Sequence, residues 1–235
     1  MSDEAVAVLA PVLARPHRVK PLAESLQAAA AATPAELVFI CNQDDAAEIE
    51  AVHAEGYEPR IVPWSAGPGD WAKKLNHAFL IYREHHEWCF LGADDLAFRH
   101  GWIEACLRAH RRTGACVIGT NDLGNPRVSK GFHSTHPLVH RDYLECGTVD
   151  EDGIILHPGY DHQFVDDEFI QTARMRGTFA FARDAVVEHL HPHWGKAEMD
   201  ATYEKALAHT HADAALFGDR RHLWLRGRAR ARASR

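Results

Sequence analysis

The chain has 235 residues, enough for the core of one domain, and its 46% hydrophobic and 25% charged residues are ordinary for a soluble globular protein. No apolar run approaches the length of a membrane span. The net charge of −7 is uneven: seven of the 26 basic residues follow Asp219, so the body sets 19 bases against 33 acids and is a poor general binder of nucleic acid.

The basic end, Arg226-Gly227-Arg228-Ala229-Arg230-Ala231-Arg232, is the one stretch suited to phosphates, and it equally fits a flexible, solubilising tail. The expected organisation is therefore one domain over 1–219 and an Arg-rich tail over 220–235. Met1-Ser2-Asp3-Glu4 is an acidic start, unlike a secretory signal. Five cysteines show no paired spacing, so free thiols in a reducing compartment are expected and the localisation reads as cytoplasmic.

In chain order, Val6–Leu13 reads as a strand interrupted by Pro11, and Arg15-Pro16 opens a helix with Val19, Leu22 and Leu26 on one face. Thr33-Pro34 stops that helix. Glu36–Cys41 is a second strand, Asp44 or Asp45 caps a helix closed by Gly56, and Arg60–Trp64 is a third strand. This alternation predicts a doubly wound, mainly parallel sheet flanked by helices. A turn at Gly67-Pro68-Gly69-Asp70 leads into a helix to about His85. Lys73, Lys74 and Asn76 sit in its first turns, where amide donors favour an anion, although a solvated helix end explains two lysines as well.

Trp88–Leu91 then forms a buried strand that runs through Gly92-Ala93 into two adjacent carboxylates, Asp94 and Asp95. Acids at that end of a parallel strand point into the crevice where open α/β sheets bind ligands. Neighbouring carboxylates repel unless a cation or a shared proton relieves them, which suits Mg²⁺ or Mn²⁺ held jointly with phosphate oxygens; a helix cap is the plainer alternative. Further on lie a helix from Gly101 to Gly114, a strand at Cys116–Ile118, a Gly/Asn/Pro/Ser-rich loop over 121–136, a strand at Leu138–His140 and a short helix from Arg141 to Cys146.

Asp166-Asp167-Glu168 heads a helix and exceeds what one cap requires. Two short strands, Thr178–Phe181 and Ala185–Glu188, run into His189-Leu190-His191-Pro192-His193. On a strand His189 and His191 face the same way, as two metal-ligating imidazoles would. A final helix is expected over about Lys196–Phe217.

The motif Phe90-Leu91-Gly92-Ala93-Asp94-Asp95, followed by Gly101-Trp102-Ile103-Glu104-Ala105, resembles the metal-binding strand and following helix of glycosyltransferases of the GT-A (nucleotide-diphospho-sugar transferase) fold, in particular family 2. The stretch from Asp166 and Glu168 through Arg174–Gly177 and Arg183-Asp184-Ala185-Val186-Val187 to His189 resembles a second motif of that family at the same spacing. The resemblance covers most of the chain to about residue 195. It implies a UDP- or GDP-linked sugar donor and Mn²⁺ or Mg²⁺ bridging its diphosphate.

Asp94 matches the second acid of the family's metal motif, with Asp95 beside it, and Gly92 replaces the first. His189 matches a C-terminal metal ligand, with His191 as the nearby alternative. Pro11 and Arg15 match the loop lining the nucleoside, Asn42 stands near the base-reading position, and Lys73, Lys74 and Asn76 fall among the donor contacts.

Breaking a sugar–phosphate bond leaves charge on the diphosphate, which a cation and lysines stabilise. An inverting transfer needs a carboxylate to take the acceptor's proton, with Asp166 the first choice and Asp167 the second. The expected protein is a metal-dependent glycosyltransferase acting on an unidentified hydroxyl acceptor. Two alternatives stand beside it: a nucleotidyltransferase on a similar scaffold, disfavoured because Ala14-Arg15-Pro16 lacks a glycine-rich phosphate loop, and a non-catalytic nucleotide- or sugar-binding module, favoured by Gly92.

Overall fold

The structure, a computed structural model, describes residues 5–233, with side chains as far as residue 223. Met1–Glu4 and the Arg226–Arg232 side chains lie outside the described residues. Eight strands form one sheet in the order β3-β2-β1-β4-β7-β6-β8-β5. The first four are β1 (Val6–Pro11), β2 (Ala35–Asn42), β3 (Arg60–Val62) and β4 (Trp88–Leu91), all mutually parallel. Every residue of β1 and β4 is buried, as expected of strands covered on both faces.

Their crossovers are α1 (Val19–Ala28), α2 (Ala46–Ala54) and α3 (Asp70–Tyr82). The side chain of Asp45 caps α2 by accepting from the Glu48 N–H. Because β1 is flanked by β2 on one side and β4 on the other, the strand order reverses there, and a crevice opens at the C-terminal ends of β1 and β4.

The other half of the sheet holds three departures from the expected layout. β5 (Leu96–Phe98) follows directly on Asp95 and pairs antiparallel with the end of β8, Leu96 opposite His189. β7 (Pro137–His140) enters antiparallel between β4 and β6 (Val117–Asn121). The two strands expected at 178–188 are one, β8 (Phe179–His189), with a register irregularity against β6 between Gly119 and Asn121. Exposed Arg183 and Asp184 in mid-strand are what make the stretch look like two.

Helix α4 (Trp102–Thr113) packs on β8, the short α5 (Pro126–Ser129) interrupts the expected 121–136 loop, and α6 (Val165–Met175) carries the acidic cluster in its first turn. The single final helix expected from Lys196 is instead two, α7 (Ala201–Ala208) and α8 (Thr210–Ala233). The backbone of α8 runs unbroken past Asp219, so the helix carries no break where the Arg-rich tail was expected to begin. Arg220 is fastened to Glu168 of α6 and to Asp150 by four hydrogen bonds of 2.6–3.1 Å. All five cysteines are free, and Cys41, Cys89 and Cys106 are buried. No helix among the described residues is long and apolar enough to cross a membrane.

Candidate active site

A cleft of about 210 Å³ opens over the ends of β1 and β4. Pro11, Val12 and Arg15 come from the end of β1 and the turn after it. Asp94 and Asp95 come from the end of β4, Asp166 from the head of α6, and Tyr203 from α7. Gly92 makes the approach of the two strands possible: its N–H donates to the Leu9 carbonyl at 2.8 Å, and a Cβ at this position would lie 2.8 Å from that oxygen. A side chain in place of Gly92 would therefore push β4 away from β1.

The two adjacent carboxylates have separate fates. Asp94 takes an ion pair from Arg15 Nη1 at 3.2 Å. Asp95 is 4% exposed, and its Oδ2 accepts from Tyr203 Oη at 2.8 Å and from His189 Nε2 at 3.2 Å. The β5–β8 pairing brings His189 there across 94 residues of sequence. Burial, then the charge on Asp95, push Asp94 up to about 7 against the pull of Arg15. Burial acts on Asp95 too, but His189, His136 and Tyr203 outweigh it and hold that carboxyl well below the usual range. Asp95 is thus the member of the pair that keeps the charge.

His136, just ahead of β7, reaches the same spot. Its Nδ1 donates to the Leu91 carbonyl at 3.0 Å, and its ring lies edge-on to His189 with centroids 5.0 Å apart. One donor atom from each of Asp95, His136 and His189 can be chosen so that all lie within 4.8 Å of one another. Asp95 Oδ1 and His136 Nε2 are buried without a hydrogen-bond partner. A buried carboxylate oxygen and a buried imidazole nitrogen that both lack a partner are what a bound cation relieves, so this donor set fits a divalent metal. Two other groupings of potential ligands already hold a guanidinium: Arg127 on Asp167 beside His133, and Arg220 on Asp150 and Glu168 beside His157.

Cationic side chains line the cleft, Lys74, Arg15 and Lys205 among them. Lys74 is 1% exposed, donates from Nζ to the Val12 carbonyl at 2.7 Å and pairs with Asp70 at 2.9 Å. Arg15 is gripped by Asp200, which caps α7, and its guanidinium carbon lies 3.7 Å from the centroid of the Tyr203 ring. Across the cleft, Asp166 Oδ2 faces His133 Nε2 at 3.0 Å. Burial raises Asp166, but His133 overrides it and the carboxyl stays below its ordinary value, ionised at neutral pH. Two hydrogen bonds hold the segment carrying both histidines. The Thr120 N–H donates to Ser134 Oγ at 3.1 Å, and Thr120 Oγ1 donates to the His136 carbonyl at 2.6 Å.

No protein-family profile matches the chain, and no curated protein matches its sequence. Solved structures do. A mannosyltransferase from Pyrobaculum calidifontis, in complex with GDP-Man and Mn²⁺, superposes with a TM-score of 0.58 at 16% identity over 98% of this chain and 74% of its own. Glucosyl-3-phosphoglycerate synthase from Mycobacterium tuberculosis, with Mn²⁺, UDP and glucosyl-3-phosphoglycerate, gives 0.56 at 13% identity over 86% and 75%. The catalytic domain of Drosophila beta1,4galactosyltransferase 7, in complex with xylobiose, gives 0.53 at 12% identity over 86% and 79%.

The chain has the GT-A fold.

On this GT-A scaffold the residues expected from the sequence fall into two groups. Pro11, Arg15, Asp94, Asp95, Asp166, His189 and His191 all line the cleft. Lys73, Asn42, Asn76 and Asp167 do not. Lys73 turns back to the Pro68 carbonyl at 2.6 Å. Asn42 is buried beneath the cleft on Asp70 and the Trp64 carbonyl. Asn76 holds the loop at Ile155 and Leu156 through three hydrogen bonds of 2.7–3.1 Å. Asp167 points at Arg127. The helical period explains the split: on α3, Asp70 and Lys74 share the face toward β1, and Lys73 and Asn76 are rotated off it.

Among the expected metal residues, Asp94 is engaged by Arg15, and His191, whose Nδ1 accepts from the His193 N–H, packs on Tyr203 outside the donor cluster. Sequence reasoning missed His136, Asp200, Tyr203 and Asp213. The buried Asp213 carboxylate accepts from the backbone N–H groups of Asp161, His162 and Gln163 at 2.7–2.9 Å, fixing the loop that forms one wall of the GT-A cleft. The signal for Asp213 was faint: one acid on an expected helix reads as a solvated face.

Proposed function

We propose that the protein is a metal-dependent glycosyltransferase that moves a sugar from a UDP- or GDP-linked donor to a hydroxyl acceptor. The observation that carries this reading is the convergence, in one cleft at the strand-order reversal of a GT-A sheet, of a metal-competent donor set, the cations Arg15 and Lys74, and an ionised carboxylate on the facing wall. The solved structures of the same fold include complexes with UDP or GDP-Man and Mn²⁺, which supports the donor class.

Bound at the Asp95–His189 end, a divalent cation would supply charge stabilisation for the departing diphosphate. The chain's own residues do the rest. Arg15 and Lys74 present their charge to the phosphates from the β1 side, already oriented by Asp94, Asp70 and the Val12 carbonyl. Pro11 and Val12 line the cleft floor beside them. Asp166 takes the acceptor's proton as the new glycosidic bond forms, and His133 holds that carboxylate in place. α7 covers the cleft with Tyr203 and limits water.

The test is turnover. With Mn²⁺ and a panel of UDP- and GDP-sugars, the protein should release free nucleoside diphosphate slowly without acceptor and faster with one. Asp166→Asn should lower the transfer rate by about 10²–10⁴-fold while nucleotide affinity holds. Nucleotide-sugar binding without release under every condition would overturn the reading in favour of a binding module.

A further inference from the structure

Asp95, His136 and His189 bring together a donor set whose composition and setting go beyond the general metal requirement of the proposed function. We propose that His136 joins Asp95 and His189 in a two-imidazole, one-carboxylate site for the divalent cation, supplying the ligand that Gly92 cannot. The inference rests on the metal-dependent reading above and names a ligand of that metal.

Four observations converge. First, the backbone excludes the usual companion acid: a Cβ at Gly92 would sit 2.8 Å from the Leu9 carbonyl oxygen, which is hydrogen-bonded within the β1–β4 pairing. No carboxylate can be offered from that position without parting the two strands. Second, Asp94 is committed to Arg15.

Third, His136 is oriented as metal-binding imidazoles are. Its Nδ1–H donates to the Leu91 carbonyl, which fixes the tautomer and leaves Nε2 as an acceptor, buried and unpartnered. Fourth, Asp95 Oδ1 is the matching orphan, since Tyr203 and His189 both use Oδ2. Buried acceptors without a partner are destabilising, and a cation relieves them by making them ligands.

The 2-His-1-carboxylate set leaves further positions open, which suits an ion that must also hold phosphate oxygens.

The direct experiment is electron paramagnetic resonance of the full chain with one equivalent of Mn²⁺ and no nucleotide. Pulsed spectra should show two directly bound imidazole nitrogens in the unsubstituted protein; none, or one, overturns the proposal. Calorimetric titration with Mn²⁺ provides the second readout. His136→Ala and, to preserve side-chain volume, His136→Gln should weaken binding by about tenfold or more, whereas Asp94→Asn and His191→Ala should stay within about threefold of the unsubstituted chain.

Loss of Mn²⁺ affinity in His191→Ala with none in the His136 variants would overturn the ligand assignment. Because no sugar donor is present, the ligand assignment and the glycosyltransferase reading fail separately. A chain that binds Mn²⁺ through two imidazoles and never releases nucleoside diphosphate keeps the site and loses the activity. A chain that turns over with unchanged metal affinity in the His136 variants keeps the activity and loses the site.

Discussion

Arg15 and Asp200, 185 residues apart, are joined by a two-pronged ion pair: Arg15 Nε donates to Oδ2 at 2.9 Å and Nη2 to Oδ1 at 2.8 Å. The pair ties the turn after β1 to the start of α7, and it sets an acid against a cation that borders the proposed diphosphate site. Asp200 is thus both the cap of α7 and a built-in competitor for the donor's phosphates.

Asp200→Asn separates these roles, because asparagine caps a helix as well as aspartate does but carries no charge. Affinity for UDP or GDP is expected to rise about three- to tenfold, the worth of roughly 1 kcal/mol at a partly exposed ion pair. Isothermal titration of the variant against the unsubstituted chain measures it. Equal or weaker binding would show that Asp200 and the nucleotide do not contend for Arg15.

Gly92→Ala puts a methyl group against the Leu9 carbonyl and should destabilise the protein by about 1–3 kcal/mol, read from urea unfolding. Gly92→Asp should do at least as much and should not tighten Mn²⁺ binding. A stable Gly92→Asp variant with stronger metal affinity would mean that the acid's absence is not enforced by the strand approach.

His133 is 2% exposed against Asp166, with Asp167 3.9 Å away and Arg127 beyond it. Burial lowers the His133 imidazole, but Asp166 and Asp167 more than reverse this, so its folded value lies above the ordinary one. A raised imidazole gives its full stabilisation below the unfolded value and loses it as pH rises through the folded one. His133→Gln should therefore be destabilising, and the deficit relative to the unsubstituted chain should be larger near pH 6 than near pH 9. Thermal melts across that range check it, and a deficit that grows with pH would refute the pairing.

Asn76→Ala tests the reassignment of a residue that the resemblance placed among donor contacts. It should cost about 1–3 kcal/mol by freeing the backbone groups of Ile155 and Leu156, while leaving UDP and GDP affinity unchanged. A selective loss of nucleotide binding at unaltered stability would restore the donor role.

What was legible in the sequence, and what was not, follows from the range of the forces involved. β1, β2 and β4 are continuous apolar runs bounded by polar residues, so their burial and their shared crevice could be read locally. Asp95 and His189 could be named because each ends such a run. β5 could not: Leu96-Ala97-Phe98 is too short to show a period, and it is a strand only because β8 pairs with it. His136 was invisible for a related reason. Nothing near it in sequence marks it out; its role comes from the Leu91 carbonyl, 45 residues away, brought close when β7 inserts beside β4. α7 and α8 share one amphipathic-looking stretch, and the break at His209–Thr210 has neither a proline nor a glycine to announce it.

The fastening of Arg220 reaches beyond this one molecule. Glu168 is 3% exposed, with Tyr160 Oη at 2.7 Å and the Arg220 guanidinium as its partners, and Arg220 also grips Asp150. Losing the arginine alone would strand a charge inside the protein at the foot of the helix that presents Asp166. Across homologous chains the two positions should therefore drift together: where Arg220 is replaced by a neutral residue, Glu168 should be neutral as well. The end of the chain is in this sense inherited with the acidic motif, as one unit of variation.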